Sequence, residues 1–271
     1  MTDGVMDGSM AAAKTDNTNP SGLRAFAEEA SRRIELAREP YDDAKLRKPP
    51  LRRFLSEFNY MLEPIKRARA KPDIGPAGAP KRVMLIPGFG AHPWRMRYMA
   101  QQLERAGHRV KRWGMGYNFG PSPEVFDKLE RRLERVFAKK GEKLYLVGWS
   151  LGGIYARELA KRHPDKVSKV VTLGSPFSGD PRSNNLWRIY PLVTGHAVHS
   201  PPIEADVHAK PPVETVALWS PADGIVHASC ARGLPEERDR EVALRCSHMG
   251  FCYEKDSIEA VAAELDGGSA A

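Results

Sequence analysis

The sequence predicts an α/β fold, a mostly parallel central sheet flanked by helices, on three observations. From Lys81 onward, short apolar runs alternate with helical patterns. One run, residues 144–147, is continuously apolar, as a strand covered on both faces is. The turn joining that run to the next helical pattern reads Gly148-Trp149-Ser150-Leu151-Gly152.

The elements follow in order. Residues 83–86 read as a strand, and 94–106 as a helix closed by Gly107. Residues 110–113 are a second strand. Residues 124–140 form a helix with Val125, Leu129, Leu133, Val136 and Phe137 on its apolar face. After the 144–147 strand, a helix over 151–162 ends before Pro164, and strands follow at 167–173, 215–219 and 241–244. These elements define a domain over 81–265. Within it the alternation stops at 176–212, a Pro-, His- and Asn-rich stretch that reads as a short lid-like insertion. The alternative is a helical excursion packed on the sheet edge.

Upstream, residues 1–22 are small and polar and are expected to be disordered. Residues 23–80 read as a helical extension and linker. Its clearest part carries Leu51, Phe54, Leu55, Phe58, Met61, Leu62 and Ile65 at three- and four-residue steps, with Glu57 on another face. Pro49-Pro50 precedes this helix, and Pro64 is expected to kink or end it. Its apolar stripe is expected to dock on the 81–265 domain. A second reading lays residues 51–71 on an anionic membrane surface, because Arg52, Arg53, Lys66, Arg67, Arg69 and Lys71 lie nearby.

Composition narrows the function classes. The 271 residues are 41% hydrophobic and 28% charged, enough apolar material for a core and too little in one run for a membrane-spanning helix. No basic start followed by an apolar core marks a secretory signal, so a cytoplasmic location is expected. The formal charge is +8, but the charges are interspersed, as in Glu130-Arg131-Arg132-Leu133-Glu134-Arg135, and no nucleic-acid partner is expected. Three cysteines cannot build a disulfide framework. Free thiols are expected at Cys230 and Cys246, with a bond between their two loops as the alternative.

The Gly148–Gly152 turn has the form of a nucleophile elbow. A serine on a tight strand-to-helix turn is held in a strained conformation, and side chains two positions before and after it would collide. The turn lifts the Ser150 hydroxyl to the carboxyl end of the sheet, next to a helix N-terminus that favours developing negative charge. An oxyanion hole is expected from Leu151 N–H and from Phe89 N–H, in the loop Pro87-Gly-Phe-Gly90 after the first strand. In chain order, Asp223 follows the 215–219 strand and His248 the 241–244 strand, as orienting acid and general base. Asp180 is the alternative acid. His227 is expected in a loop or packing role. His196-x-x-His199 is the nearest approach to metal-ligand spacing and lacks a third ligand, so no metal is expected.

These residues resemble the α/β-hydrolase superfamily, and within it the lipase- and esterase-like serine hydrolases of bacteria. The resemblance spans about 81–265 and rests on Pro87-Gly-Phe-Gly90, Gly148-Trp-Ser-Leu-Gly-Gly153, Gly174-Ser-Pro-Phe177, Asp223-Gly-Ile-Val226 and Ser247-His-Met-Gly250. It implies an α/β-hydrolase fold, no cofactor, and hydrolysis of a small-molecule or lipid ester with an apolar acyl part through an acyl-enzyme. Pro87 stands where many lipases carry histidine. An acyltransferase or thioesterase would use the same residues, and a hydrolase-fold binding protein without turnover is the reading from outside the enzymes.

Overall fold

The computed structural model describes residues 20–38, 40, 47–180, 182–188, 190–196 and 206–267. Six strands form one parallel sheet: β1 (Arg82–Ile86), β2 (Arg109–Arg112), β3 (Leu144–Trp149), β4 (Val167–Leu173), β5 (Glu214–Trp219) and β6 (Arg240–Ala243), in spatial order β2-β1-β3-β4-β5-β6. The helices are α1 (Pro20–Ala37), α2 (Leu51–Ser56), α3 (Glu63–Arg69), α4 (Arg97–Arg105), α5 (Pro123–Ala138), α6 (Leu151–Arg162), α7 (Tyr190–Thr194), α8 (Ala228–Arg232) and α9 (Lys255–Leu265). The fold is that of the α/β hydrolases.

The period-two geometry of the strands divides the core. Val83 and Leu85 of β1 pack in a cluster with Met99 and Leu103 of α4 and Ile258 and Val261 of α9. Met84 and Ile86 belong to the opposite cluster, with Leu129 and Leu133 of α5 and Tyr155 and Leu159 of α6. Covering on both faces is why these strands read as unbroken apolar runs. Helix α9 was not among the predicted elements. The predicted 94–106 helix begins as a 3₁₀ turn, Pro93–Met96, before α4.

Two expectations for the extension need correction. The predicted single helix over 51–65 is α2, a 3₁₀ turn over Glu57–Leu62, and α3. Pro64 explains the break. It lacks the N–H that a continuous helix would need there, and it sits instead in the first turn of α3, where no donor is required. Apart from Phe54, the apolar stripe does not dock. Leu51 and Met61 are 70% and 73% exposed, and Leu55, Phe58 and Ile65 are exposed with them. The segment lies on the molecule through the buried Glu57 and through the partly buried Phe54, which packs at the Ile225–Val226 cluster. Ion pairs from Glu63 to Arg95 (2.6 Å) and from Lys66 to Glu254 (3.0 Å) extend that contact.

Of the expected tail over 1–22, residues 1–19 lie outside the described residues and 20–22 begin α1, which corrects that expectation; residues 181, 189 and 197–205 of the insertion also lie outside. The described part of the insertion carries one short helix, α7. Asn184 bridges Val226, α7 packs against α1, and the Arg33 guanidinium donates to the Leu192 and Val193 carbonyls at 3.2 and 2.9 Å. Among the described residues, no helix is long and apolar enough to cross a membrane.

Candidate active site

Strand β3 runs directly into Ser150, which runs directly into α6. Ser150 has φ 53° and ψ −123°, and it is the one non-glycine among the described residues with positive φ. The glycines around it explain how the chain tolerates this. A Cβ on Gly148 would overlap the Gly152 carbonyl, and a Cβ on Gly152 would overlap that of Ile86. The elbow is therefore packed backbone on backbone.

Asp223 and His248 come together from the loops after β5 and β6. His248 Nδ1 lies 2.8 Å from Asp223 Oδ2, and both side chains are buried. The second oxygen of Asp223 accepts the N–H groups of Ile225 and Val226, each at 2.8 Å. An ionised carboxylate only accepts, so Nδ1 carries the proton and Nε2 keeps its lone pair. Burial acts to lower the His248 pKa, but the Asp223 charge, the hydrogen bond to it and the Glu57 charge outweigh burial and raise it. Gly174, with φ 54°, leaves room for this pair: a Cβ there would stand 2.9 Å from Asp223 Oδ2.

Ser150, His248 and Phe89 line one cavity of about 730 Å³. Trp94, Tyr98 and Trp149 add aromatic walls, and Tyr60, Glu63 and Arg67 of the extension form another side. Gly88 lies against the serine, so close that a Cβ on it would be 3.0 Å from Ser150 Cβ, and Phe89 is the next residue. The Phe89 ring packs on Tyr190 of α7. Leu151 is the first residue of α6, where an amide has no carbonyl one turn back to bond.

Several residues that the sequence did not single out hold this geometry. Asn118 is buried beside the Pro87-Gly-Phe-Gly90 loop. Its side-chain amide donates to the Pro87 carbonyl (2.8 Å), its own carbonyl accepts from Gly90 N–H (2.7 Å), and its N–H donates to Ala91 (3.0 Å). Trp149 Nε1–H donates to the His248 carbonyl (3.0 Å), and Ser220 Oγ–H to that of Cys246 (2.6 Å), tying acid loop to base loop. Glu57 accepts three backbone N–H groups from the same loops. A buried polar residue flanked by chain-distant partners leaves no local pattern, so only Trp149, inside the elbow motif, was within reach of sequence reasoning.

The alternatives fall elsewhere. Asp180 is engaged by Arg182, through its N–H at 2.8 Å and its guanidinium at 3.5 Å. His227 caps α8, accepting from Ser229 N–H. His196 follows α7, and His199 lies outside the described residues. Cys230 and Cys246 are free thiols, pushed above the usual cysteine range by burial.

Comparison with known proteins agrees with this architecture. The family described as alpha/beta hydrolase fold matches residues 81–194. The pimeloyl-[acyl-carrier protein] methyl ester esterase of Edwardsiella ictaluri is 35% identical over 101 residues, 36% of this chain and 38% of that enzyme. The Vibrio atlanticus enzyme of the same name is 30% identical over 109 residues, 39% of this chain and 41% of its own. The chain thus spans about two fifths of the length of these curated relatives. Among solved structures, the monoacylglycerol lipase of Paleococcus ferrophilus superposes with a TM-score of 0.52 at 19% identity, over 71% of this chain and 97% of that one. With the shared sheet and the matched elbow region, the chain has the α/β-hydrolase fold, and over residues 81–194 it is similar to that family and to its esterases.

Proposed function

We propose that this chain is a carboxylic ester hydrolase that works through an acyl-enzyme. Ser150 Oγ attacks the ester carbonyl while His248 Nε2 takes its proton. Asp223 holds the imidazole in the required tautomer and stabilises the imidazolium. The N–H groups of Phe89 and Leu151 receive the developing oxyanion. The C–O bond then breaks, the alcohol leaves with the proton from His248, and water repeats the sequence to release the acid. The observation that carries this reading is His248, paired with the buried Asp223 and lining the same cavity as the left-handed Ser150. The ester activity of the partial relatives points the same way.

The aromatic walls of the cavity favour a substrate with an apolar acyl part. The exposed stripe from Leu51 to Ile65, with basic residues around it, favours a lipid ester drawn from an anionic surface. The decisive experiment is Ser150→Ala on a series of p-nitrophenyl esters from short to long acyl chains. We expect kcat to fall by ~10³ or more with the melting curve retained; an unchanged rate overturns the proposal. Fluorophosphonate labelling at Ser150 distinguishes turnover from a silent binding protein. Product analysis with added alcohol distinguishes hydrolysis from acyl transfer.

A further inference from the structure

We propose that Glu57, supplied by the segment ahead of β1, is a positioning residue of this active site, its single carboxylate fixing the acid loop and the base loop relative to each other. The proposal rests on the reading of Ser150, His248 and Asp223 given above. Glu57 Oε1 accepts from Gly224 N–H at 2.8 Å and from His248 N–H at 2.7 Å, and Oε2 accepts from Met249 N–H at 2.9 Å. Gly224 follows the acid, and His248 is the base itself. One side chain therefore grips both loops at the residues whose relative position sets the Asp223–His248 distance.

Glu57 is 5% exposed, and a carboxylate withdrawn from water is costly unless donors replace its hydration. Three N–H groups do so here, all of them belonging to the two catalytic loops. The fit is close on the acid side. A Cβ on Gly224 would overlap the Arg53 carbonyl, so the middle of α2 rests on this loop with room for glycine alone. Asn185 stitches the same contact, its amide donating to Gly224 O (2.7 Å) and Pro49 O (3.2 Å).

The carboxylate also brings charge. The negative groups that bear on the His248 imidazole are Asp223 and Glu57. The Cys246 thiol beneath them is held protonated by burial. The nearby charges on α3, the 3₁₀ turn before α4 and the turn into α9 are matched in the pairs Glu63–Arg95 and Lys66–Glu254. Glu57 thus adds to the stabilisation of the imidazolium, which must form when Ser150 is deprotonated. A carboxylate present only for folding would not move the pH dependence of the rate.

The test compares full-length wild type, Glu57→Gln and Glu57→Asp in ester hydrolysis against pH, with fluorophosphonate labelling as a second readout. Glutamine removes the charge and turns one acceptor into a donor facing an N–H. We expect kcat to fall about 10- to 100-fold, KM to stay within about twofold, and the acid limb of the rate profile to move to lower pH. Aspartate keeps the charge and shortens the reach, so kcat should fall while the acid limb stays at its wild-type position. Wild-type kcat and acid limb in Glu57→Gln overturn the proposal. If Glu57→Gln does not fold, the aspartate variant decides, and wild-type kcat there overturns it. Absence of Ser150 labelling in the wild type defeats the triad reading instead, which separates the two failures.

Discussion

A single methyl group on residue 152 would be driven into the Ile86 carbonyl, between backbones that have no room to separate. Gly152→Ala is therefore expected to cost more than about 2 kcal/mol of stability, read by thermal or denaturant melting. Asn118 makes the corresponding contribution to the loop after β1, where its side-chain and main-chain bonds leave Pro87, Gly90 and Ala91 little freedom. Asn118→Leu should lower kcat by about 10²-fold through displacement of the Phe89 amide, with KM little changed. The His248 environment fixes the sign of the pH dependence. In the proposed mechanism the neutral His248 imidazole is the base, and its pKa is raised above the ordinary value of about 6.5. Activity should accordingly climb with pH through a midpoint above about 6.5, and a midpoint below that value contradicts the assignment. The same shift stabilises the folded state below the unfolded histidine's pKa, a contribution that fades as pH rises through the native value. At this scale the placement of Ser150, Asp223 and His248 after successive strands was legible, because each follows an apolar run of strand length. Asn118 and Glu57 were not, since their partners lie 31 and 191 positions away in the chain.

Helical periodicity located the apolar positions of the 51–65 segment but not the direction they face. A stripe of this spacing normally marks the buried side of a helix. Here Glu57, on another face, is buried, because its carboxylate meets three N–H groups that no apolar residue could satisfy. The exposed side is then free to meet something else. Replacing Leu55 and Met61 by Asp should leave the melting temperature and the hydrolysis of a soluble ester within error. It should abolish co-sedimentation with anionic vesicles, and equal sedimentation of wild type and variant would remove the lipid-surface reading. Strand and helix positions in the 81–265 region were legible almost to the residue, with α6 and β4 at their predicted limits. Their periodicity is enforced by burial on both sheet faces, whereas α9 carries a mixed pattern that only its packing on β1 and α4 explains.

Across the whole molecule, the extension and the sheet domain line one cavity, the candidate active site. Tyr60, Glu63 and Arg67 wall the cavity, Glu57 underlies the base, and Lys66 reaches Glu254 ahead of α9. A chain beginning at residue 71 is expected to melt at lower temperature than the full chain and to label poorly with a fluorophosphonate. Full labelling at an unchanged melting temperature would make the extension dispensable. The sequence by itself determined the α/β-hydrolase fold and the tight strand-to-helix turn at Ser150, because these depend on local periodicity and on steric limits within a few residues. Only the tertiary structure decided that Glu57 of the extension turns inward, and that this carboxylate far upstream grips the loops bearing Asp223 and His248. The satisfaction of a buried backbone N–H is a property of three-dimensional neighbours, and no pattern along the chain records it.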